Sequence, residues 1–490
     1  MICGVVKAST LSEMQQRIHA VRNLCEMIEL RLDYLIDLDF VSLAKLLKTI
    51  DIPVIFTLRT LGEGGNFKGT HEQYLNILNK LIPLEPHYLD VETHVTPQEM
   101  HELRSVHPQT KILLSFHDFK KMPNLDQVYQ EMKKTPADLY KIAILLNSSV
   151  DTLDLLEYMK EHSPKLVAMG IGKFGEVTRI LSPVFGGAFV FSSLNTQGLT
   201  VPGQLTIYEF EEVYNYHHLN TSSAIYGLIG NPVVHSIGHL THNKILHALD
   251  MAAVYVKFPV TEEELPKFLE MAKKVGMRGL SVTMPLKEIV MNYIDDIDPK
   301  AKRMGAVNTL VFEHGKIKGY NTDGNGALDA LEAKIKVKGK KVVIIGAGGA
   351  SKAVAYEAIE RGACVVILNR NAERAEFLAQ AIGCEGAGLD KLEQIFKEGY
   401  DVIINATPTS MPINPDLLLP KAVAMDLQTK PRYTEFLQHA DQKGCPLVFG
   451  YEMFVGQALG QFELWFGNEF YKKTALKMLG ETVVSQMNMS

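Results

Sequence analysis

The sequence is short of several things, and each shortage narrows what the protein can be. Its 490 residues include only five cysteines, at positions 3, 25, 364, 384 and 445. The number is odd and the spacing fits no metal-ligand pattern, which argues against a disulfide framework and against structural zinc; no metal is expected. No apolar run reaches the ~18 residues of a membrane span, and the opening MICGVVKAST carries too brief an apolar stretch for a signal peptide. A cytoplasmic chain with no membrane partner is the expectation. The formal net charge is -6, and no dense basic cluster reverses it locally, so nucleic acid is not expected as a partner. Low-complexity tracts and short repeats are missing too. What remains, 46% hydrophobic and 22% charged residues, is an ordinary globular composition spread over more chain than one core usually serves. Two or three domains are expected.

The first 205 residues alternate short β-rich runs with amphipathic segments of helical period. Eight runs can be read: ICGVV, MIELRLD, PVIFTLR, YLDVE, KILLSF, LYKIAI, KLVAM and GAFVF. The intervals hold one helix and two loops, so the pattern predicts parallel βα units closing as a (β/α)8 TIM barrel. Chemistry in such barrels collects at the carboxyl ends of the strands. Polar residues stand at those ends: Glu29 and Arg31 on the second run, Arg59 ending the third, Glu92 ending the fourth, His117 just after the fifth, Lys141 on the sixth. MGIGKFGEVTR then leads to Arg179, and GLTVPGQ carries Thr200 and Gln204.

A lysine in such a mouth loses hydration and feels neighbouring arginines, and both effects favour the neutral amine. That amine can condense with a ketone to give an iminium, an electron sink for removing a proton from the adjacent carbon. His117 is the expected proton carrier, oriented by Glu92, and the arginines imply a carboxylate substrate. Elimination and aldol chemistry both fit.

In order and interval, ELRLDYL, FTLRTLGEGG, YLDVE, SFHDF, YKIAI and VPGQ resemble type I 3-dehydroquinate dehydratase. The resemblance implies Lys141 as the imine-forming residue, His117 with Glu92 as general acid/base, and Glu29, Arg31, Arg59, Arg179 and Gln204 as substrate-holding residues. TVPGQ departs from the family's SAPGQ, with Thr200 keeping a hydroxyl; Thr178 does the same in MGIGKFGEVTR.

After YHHLNTSS (216–223), read as a solvated linker, the pattern restarts with AIYGLIGNPVVHS. SVTMPLKE, GAVNTL and GYNTDG follow as polar stretches beside apolar runs. If the fold joins Lys287 to Asp323, the pair can present a proton to a forming oxyanion, as ketone reduction requires. KKVVIIGAGGASKAVAYEAIERGACVVILNR is then strand, glycine turn, helix and strand, the dinucleotide-binding arrangement. Ser351 stands where the third glycine belongs. Asn369, Arg370 and Arg374 stand where an NAD enzyme carries an acidic residue, which favours the 2'-phosphate of NADP.

From Ala224 to about residue 480 these motifs, with INATPTSM and its Thr407 and with GYEMFVGQALGQFELW, resemble shikimate dehydrogenase. The resemblance implies Lys287 and Asp323 as catalytic residues and Ser236, Ser281, Thr283, Asn308 and Gln457 as substrate-holding. It also implies a cofactor loop of Gly346, Ala347, Gly348, Gly349, Ala350 and Ser351. Where the family commonly has HSxSP this chain has HSIGH, so Gly238 and His239 replace a serine and a proline, and a quinate-using dehydrogenase stays open. A Schiff-base aldolase barrel fused to a dehydrogenase is the remote alternative. The expected division is a dehydratase barrel over 1–215, a substrate-binding lobe over 222–325, a Rossmann-like NADP lobe over 326–450, and helices over 451–490 that return to the substrate lobe. Small-molecule substrates are expected, in a monomer or small homo-oligomer.

Overall fold

The structure, a computed structural model, describes residues 1–194, 202–234, 236–467 and 480. The chain forms two compact units. One comprises Met1–Ala224, Ala252–Val260 and Lys267–Val275; the other comprises Ile225–Met251, Thr261–Pro266 and Gly276–Ser490.

The first unit is built on eight parallel strands: β1 (Ile2–Lys7), β2 (Met27–Arg31), β3 (Val54–Thr57), β4 (Tyr88–Glu92), β5 (Lys111–Asp118), β6 (Leu139–Leu145), β7 (Leu166–Ile171) and β8 (Val190–Ser192). Their order is β7-β6-β5-β4-β3-β2-β1-β8, a nearly closed barrel. All eight correspond to the predicted runs, with boundaries shifted: β3 ends at Thr57, so Arg59 follows the strand, and β5 runs on to Asp118, so His117 stands on the strand itself.

Strand side chains alternate between faces, and the inward set includes Cys3, Val5, Met27, Ile55, Leu113, Ala143, Val167, Met169, Phe189 and Phe191, packed as an apolar plug. Continuing the same alternation toward the carboxyl ends brings Glu29, Arg31, Asp90, Glu92, Ser115 and Lys141 onto the inward face above that plug. The helices start on side-chain caps: Thr70 and Thr96 each accept from the third helical N–H while Gln73 and Glu99 bond back to the cap, an arrangement worth about 1 kcal/mol per helix. The stretch read as a solvated linker is more embedded than expected. Tyr216 is buried against Phe210, and His217 bridges Glu26 and Glu211.

In the second unit, strands Ala224–Gly230, Gly279–Val282, Thr309–Glu313 and Lys316–Tyr320 lie side by side, the first pair parallel and the others antiparallel. A separate parallel sheet is ordered Glu385–Gly388, Cys364–Asn369, Lys341–Ile345, Val402–Asn405, Val423–Asp426, Leu447–Val448. Its order reverses beside Lys341–Ile345, and ligands bind at such a switch point. Helix Asp323–Glu332 packs Ala327, Leu328 and Leu331 into the core of this sheet, and crosses helix Gly450–Phe466 where a Cβ on Gly326 would lie 2.4 Å from the Gln457 nitrogen. Only glycine permits that crossing.

Candidate functional sites

The barrel mouth gathers the predicted residues into one cavity lined in part by Glu29, Arg31, Arg59, His117, Lys141, Arg179 and Gln204. Lys141 is buried, its Nζ 3.4 Å from Asp90 Oδ2, 4.0 Å from Glu29 Oε1 and 4.1 Å from the Phe191 ring centre. Burial pulls its acidity toward the neutral amine; Asp90 and Glu29 oppose this, while Arg59 and Arg31 assist it. His117 is held well below the usual imidazole range by burial, then by Arg59, Lys141 and Arg31. It is a neutral ring at neutral pH.

The expected partner of that ring is not the one found. Glu92 accepts from Arg59 Nη1 at 3.1 Å and from the Thr60 N–H and hydroxyl at 2.8 and 2.6 Å. Its register neighbour on β5 is Ser115, two residues short of His117, and its oxygens are committed to Arg59 and Thr60, just after β3, with His94 Nδ1 a further 3.4 Å from Oε2. His117 Nδ1 instead pairs with Glu63 Oε2 at 2.8 Å, which leaves Nε2 for substrate. Glu63 lies in the loop after β3, a turn closed by Leu61 N–H to Phe67 O and Phe67 N–H to Arg59 O. A Cβ at Gly65 would sit 2.1 Å from the Arg59 carbonyl, so glycine is required there. Burial, with Glu92 and Asp90 adding to it against Arg59, raises the Glu63 carboxyl to about 8. The Phe119 ring lies parallel to the imidazole within 10°, centres 6.2 Å apart.

The arginines differ in what they have free. Arg59 is saturated by Asp90, Glu92 and Ser115, and Arg31 is bound twice by Asp33 at 2.8 Å. Arg179 is 2% exposed and among the described residues has only Met169 Sδ at 3.4 Å and the Gly170 carbonyl at 3.3 Å, with no partner for its Nε; burial alone lowers it to about 10. A buried cation with no carboxylate beside it among the described residues is one whose charge an anion would balance. Thr178 is spent on structure, donating to Gly175 O and accepting from Gly170 N. Thr200 lies outside the described residues.

The second unit holds another constellation. Lys287 Nζ meets Asp323 Oδ2 at 2.6 Å. Asn308 Nδ2 donates to Asp323 Oδ1, Thr322 Oγ1 and Gln457 Oε1 at 2.8, 2.9 and 3.4 Å. Ser281 Oγ donates to Gln461 Oε1 at 2.9 Å, and Gln461 Nε2 bonds the Asn308 carbonyl and Thr309 Oγ1, both at 3.2 Å. Gln461 was not anticipated; its only sequence signal is that it lies one helical turn beyond Gln457. Thr283 bonds its N–H to Ile229 O beside Gly230. Ser236 Oγ accepts from the Gly238 N–H at 3.1 Å where helix Gly238–Ala248 begins.

The glycine loop fits a dinucleotide. Gly346 has φ +115, and a Cβ there would meet Ala406 O at 2.9 Å and Thr407 Cγ2 at 3.0 Å, whereas at Gly348 and Gly349 it would meet nothing within 4 Å. The loop is thus tight against its own sheet and open outward at the N-terminus of helix Gly349–Glu360, where backbone N–H groups hold phosphate. The buried Ser351 replaces the third glycine usefully, accepting from the Gly348 N–H at 3.3 Å, and Ala350 follows on the first helical turn. Thr407 bonds Asn405, and Asn369 bonds the Asn371 carbonyl. Arg374 Nε donates to Ala347 O at 3.0 Å, which sets one guanidinium beside the loop, and the exposed Arg370 follows the end of strand Cys364–Asn369.

Comparison with known proteins matches residues 2–221 to type I 3-dehydroquinase, 228–310 to the shikimate dehydrogenase substrate binding domain, and 329–429 to shikimate / quinate 5-dehydrogenase. The shikimate biosynthesis protein AroDE of Chlamydia pneumoniae is 36% identical over 95% of both chains. The chloroplastic bifunctional 3-dehydroquinate dehydratase/shikimate dehydrogenase of Arabidopsis thaliana is 34% identical over 95% of this chain and 82% of its own. A shikimate dehydrogenase solved in complex with NADP+ matches 55% of this chain and 97% of its own at 35% identity and TM-score 0.51.

Proposed function

The chain belongs to the family of fused type I 3-dehydroquinate dehydratases and shikimate dehydrogenases, and from that premise we propose which of its residues carry the two reactions. It is bifunctional: the barrel dehydrates 3-dehydroquinate through a lysine Schiff base, and the C-terminal half reduces the resulting 3-dehydroshikimate to shikimate with NADPH. The aldolase alternative falls away.

In the barrel, neutral Lys141 Nζ bonds to the ketone carbon and the ketone oxygen leaves as water, giving an iminium. His117 Nε2 takes a proton from the neighbouring carbon, and the iminium accepts the C–H electron pair. The imidazolium returns that proton to the hydroxyl on the next carbon, which departs as a second water. Hydrolysis of the conjugated iminium consumes one water and frees Lys141, so the net change is loss of one water with no oxidation. Arg179 holds the carboxylate, Glu63 holds the His117 ring, and Arg59 with Glu92 shapes the wall. Glu29, Arg31 and Gln204 complete the substrate contacts. The observation that carries this reading is an amine pushed toward neutrality, a neutral imidazole and a guanidinium without a carboxylate among the described residues, all in one buried mouth.

In the dehydrogenase half, NADPH when bound supplies hydride to the ketone carbon. Lys287 presents a proton to the ketone oxygen, and Asp323, fixed by Asn308, holds the ammonium in place. Gln457, Ser281, Thr283 and Ser236 orient the ring and carboxylate. The cofactor contacts are the backbone from Gly346 to Ser351 with Thr407 and Asn369 for the pyrophosphate and ribose, and Arg370 and Arg374 for the 2'-phosphate.

The working boundaries are 1–215, 222–325, 326–450 and 451–490. A cytoplasmic location, or another reducing compartment, accords with five free cysteines and with the absence, among the described residues, of a helix long and apolar enough to cross a membrane. Oxidation of NADPH on adding 3-dehydroquinate tests the whole scheme. Lys141→Ala should abolish it while 3-dehydroshikimate is still reduced; Lys287→Ala should stop reduction while dehydration continues. Activity of Lys141→Ala on 3-dehydroquinate would refute the barrel assignment.

A further inference from the structure

We propose that Asp90, which lies beneath the barrel cavity rather than in its wall, is the resident counter-ion of the Lys141 nitrogen and keeps that nitrogen positively charged as the substrate iminium. The proposal rests on Lys141 as the imine-forming residue. Asp90 is on β4, two residues before Glu92 and therefore on the same inward face. It is 1% exposed and is not among the residues that line the cavity, so substrate does not need it for binding.

Its placement is set by Ser115 and Arg59, which also bond each other. Oδ1 accepts from Ser115 Oγ at 2.6 Å, and Oδ2 accepts from Arg59 Nη2 at 2.7 Å. Arg59 Nη1 in turn donates to the same Ser115 hydroxyl at 2.7 Å. The carboxylate is thus clamped by two neighbours with Oδ2 left 3.4 Å from Lys141 Nζ. The other groups facing Nζ do not do this work. Glu29 is at 4.0 Å and accepts from the Thr57 hydroxyl. Arg59 and Arg31 repel a cation, His117 is neutral, Glu63 is pushed toward its neutral form, Cys3 is a buried thiol whose acidity is weakened, and Phe191 offers only its ring face.

The chemistry needs such a group. The amine must shed a proton to attack, and the cavity favours that. Once the carbon-nitrogen bond has formed, the same surroundings favour loss of the N–H proton from the iminium, and a neutral imine is a poor acceptor for the C–H electron pair. A fixed anion 3.4 Å away reverses that preference without entering the substrate space.

The test is the pH dependence of dehydratase kcat in Asp90→Asn and Asp90→Glu. The alkaline limb of kcat reports loss of the iminium proton in the enzyme-substrate complex. In Asp90→Asn it should move at least about one pH unit toward acid, so that the loss of activity is roughly tenfold greater at the alkaline end than at the acid end. Asp90→Glu should restore the limb in part. Should Asp90→Asn not accumulate as folded protein, Ser115→Ala, which removes an anchor and no charge, should show the same displacement in smaller measure. A uniform loss at every pH, with the limbs unmoved, would overturn the proposal and leave Asp90 a support for Arg59. Peptide mapping after borohydride reduction of wild-type enzyme with substrate separates the two assignments. Substrate mass on another lysine defeats the Lys141 reading itself, whereas mass on Lys141 with an unmoved limb defeats only the role of Asp90.

Discussion

Arg179→Met should make the free enzyme more stable and the dehydratase far worse, and the two effects have one cause. The guanidinium is wholly buried with a thioether, a carbonyl and, among the described residues, no carboxylate around it, and burial brings it down from its ordinary value to about 10. Each tenfold displacement of acidity corresponds to about 1.4 kcal/mol, so keeping this charge costs the substrate-free protein about 3 kcal/mol. A lowered cation destabilises wherever it is charged in the folded state: the cost is fully present below pH 10 and fades only as pH rises from there toward the unfolded value. Methionine is of similar length and needs no partner. It should lose about 1 kcal/mol of packing and recover the rest, a net gain of about 2 kcal/mol at pH 7. For substrate, losing a charge-assisted bond to the carboxylate costs about 1.5–3 kcal/mol, a rise in KM of roughly ten- to a hundredfold. Chemical denaturation measures the first effect and steady-state kinetics on 3-dehydroquinate the second. A less stable variant with unchanged KM would refute the reasoning, because it would show Arg179 to be a structural cation with a partner inside the protein.

Four further outcomes are expected. Borohydride during turnover should fix substrate mass on Lys141, and His117→Ala should still trap substrate while dehydrating on the order of 10²–10⁴ more slowly, as rapid-quench mass spectrometry can check. Glu63→Gln should lower kcat by about tenfold or more with stability nearly unchanged, whereas Glu92→Gln should cost about 3 kcal/mol of stability by leaving part of the buried Arg59 charge uncompensated; the reverse pattern in paired kinetic and unfolding measurements would restore Glu92 as the partner of His117. Arg370→Ala should weaken NADPH by about 1.5–3 kcal/mol and leave NADH alone; equal losses for both in fluorescence titration would make Arg370 structural. Gly238→Ser, adding a hydroxyl beside Ser236, should tighten shikimate by about 0.5–1.5 kcal/mol and penalise any quinate turnover, and equal weakening of both would mean that the space is already filled.

Much of the catalytic layout was legible because polar residues at the ends of apolar runs stand out. In YLDVE and LYKIAI a charged residue at or near the carboxyl end of an otherwise apolar run marks Glu92 and Lys141 for the barrel mouth. Asp90 is open to the same argument, being two residues from Glu92, but it stands one layer below the strand end, and it is at the ends that barrel chemistry collects. The glycine loop was readable because a strand, two glycines and a helix have few other uses; that Ser351 replaces a glycine by capping its own helix needed the hydrogen bond to be seen. Gln461 had no such context. A glutamine one turn from another on an apolar helix is a common pattern, and its four polar contacts come from residues between 152 and 219 positions away.

The wrong partner for His117 has a more specific origin. Composition supplied a histidine and a carboxylate at neighbouring strand ends, and adjacency alone would join them. Register forbids it: Glu92 pairs with Ser115 across β4 and β5, so the imidazole stands two residues higher, roughly 6.6 Å along the strand at about 3.3 Å per residue. At the level of Glu92 the cations are Arg59 and Lys141; Glu92 is spent on the former, and Asp90, one layer down, is shared between the two. A carboxylate for the ring has to arrive from above the strand ends, which only a loop can supply. The turn after β3 does so because Gly65 lets it fold back onto the Arg59 carbonyl, and that return sets Glu63 over the mouth. A run such as TLGEGG carries no periodicity from which a side chain's direction could be read. In a barrel, therefore, residues at one height can be assigned by alternation, while a catalytic pair spanning two heights depends on loop closure, which becomes readable only once the register is known.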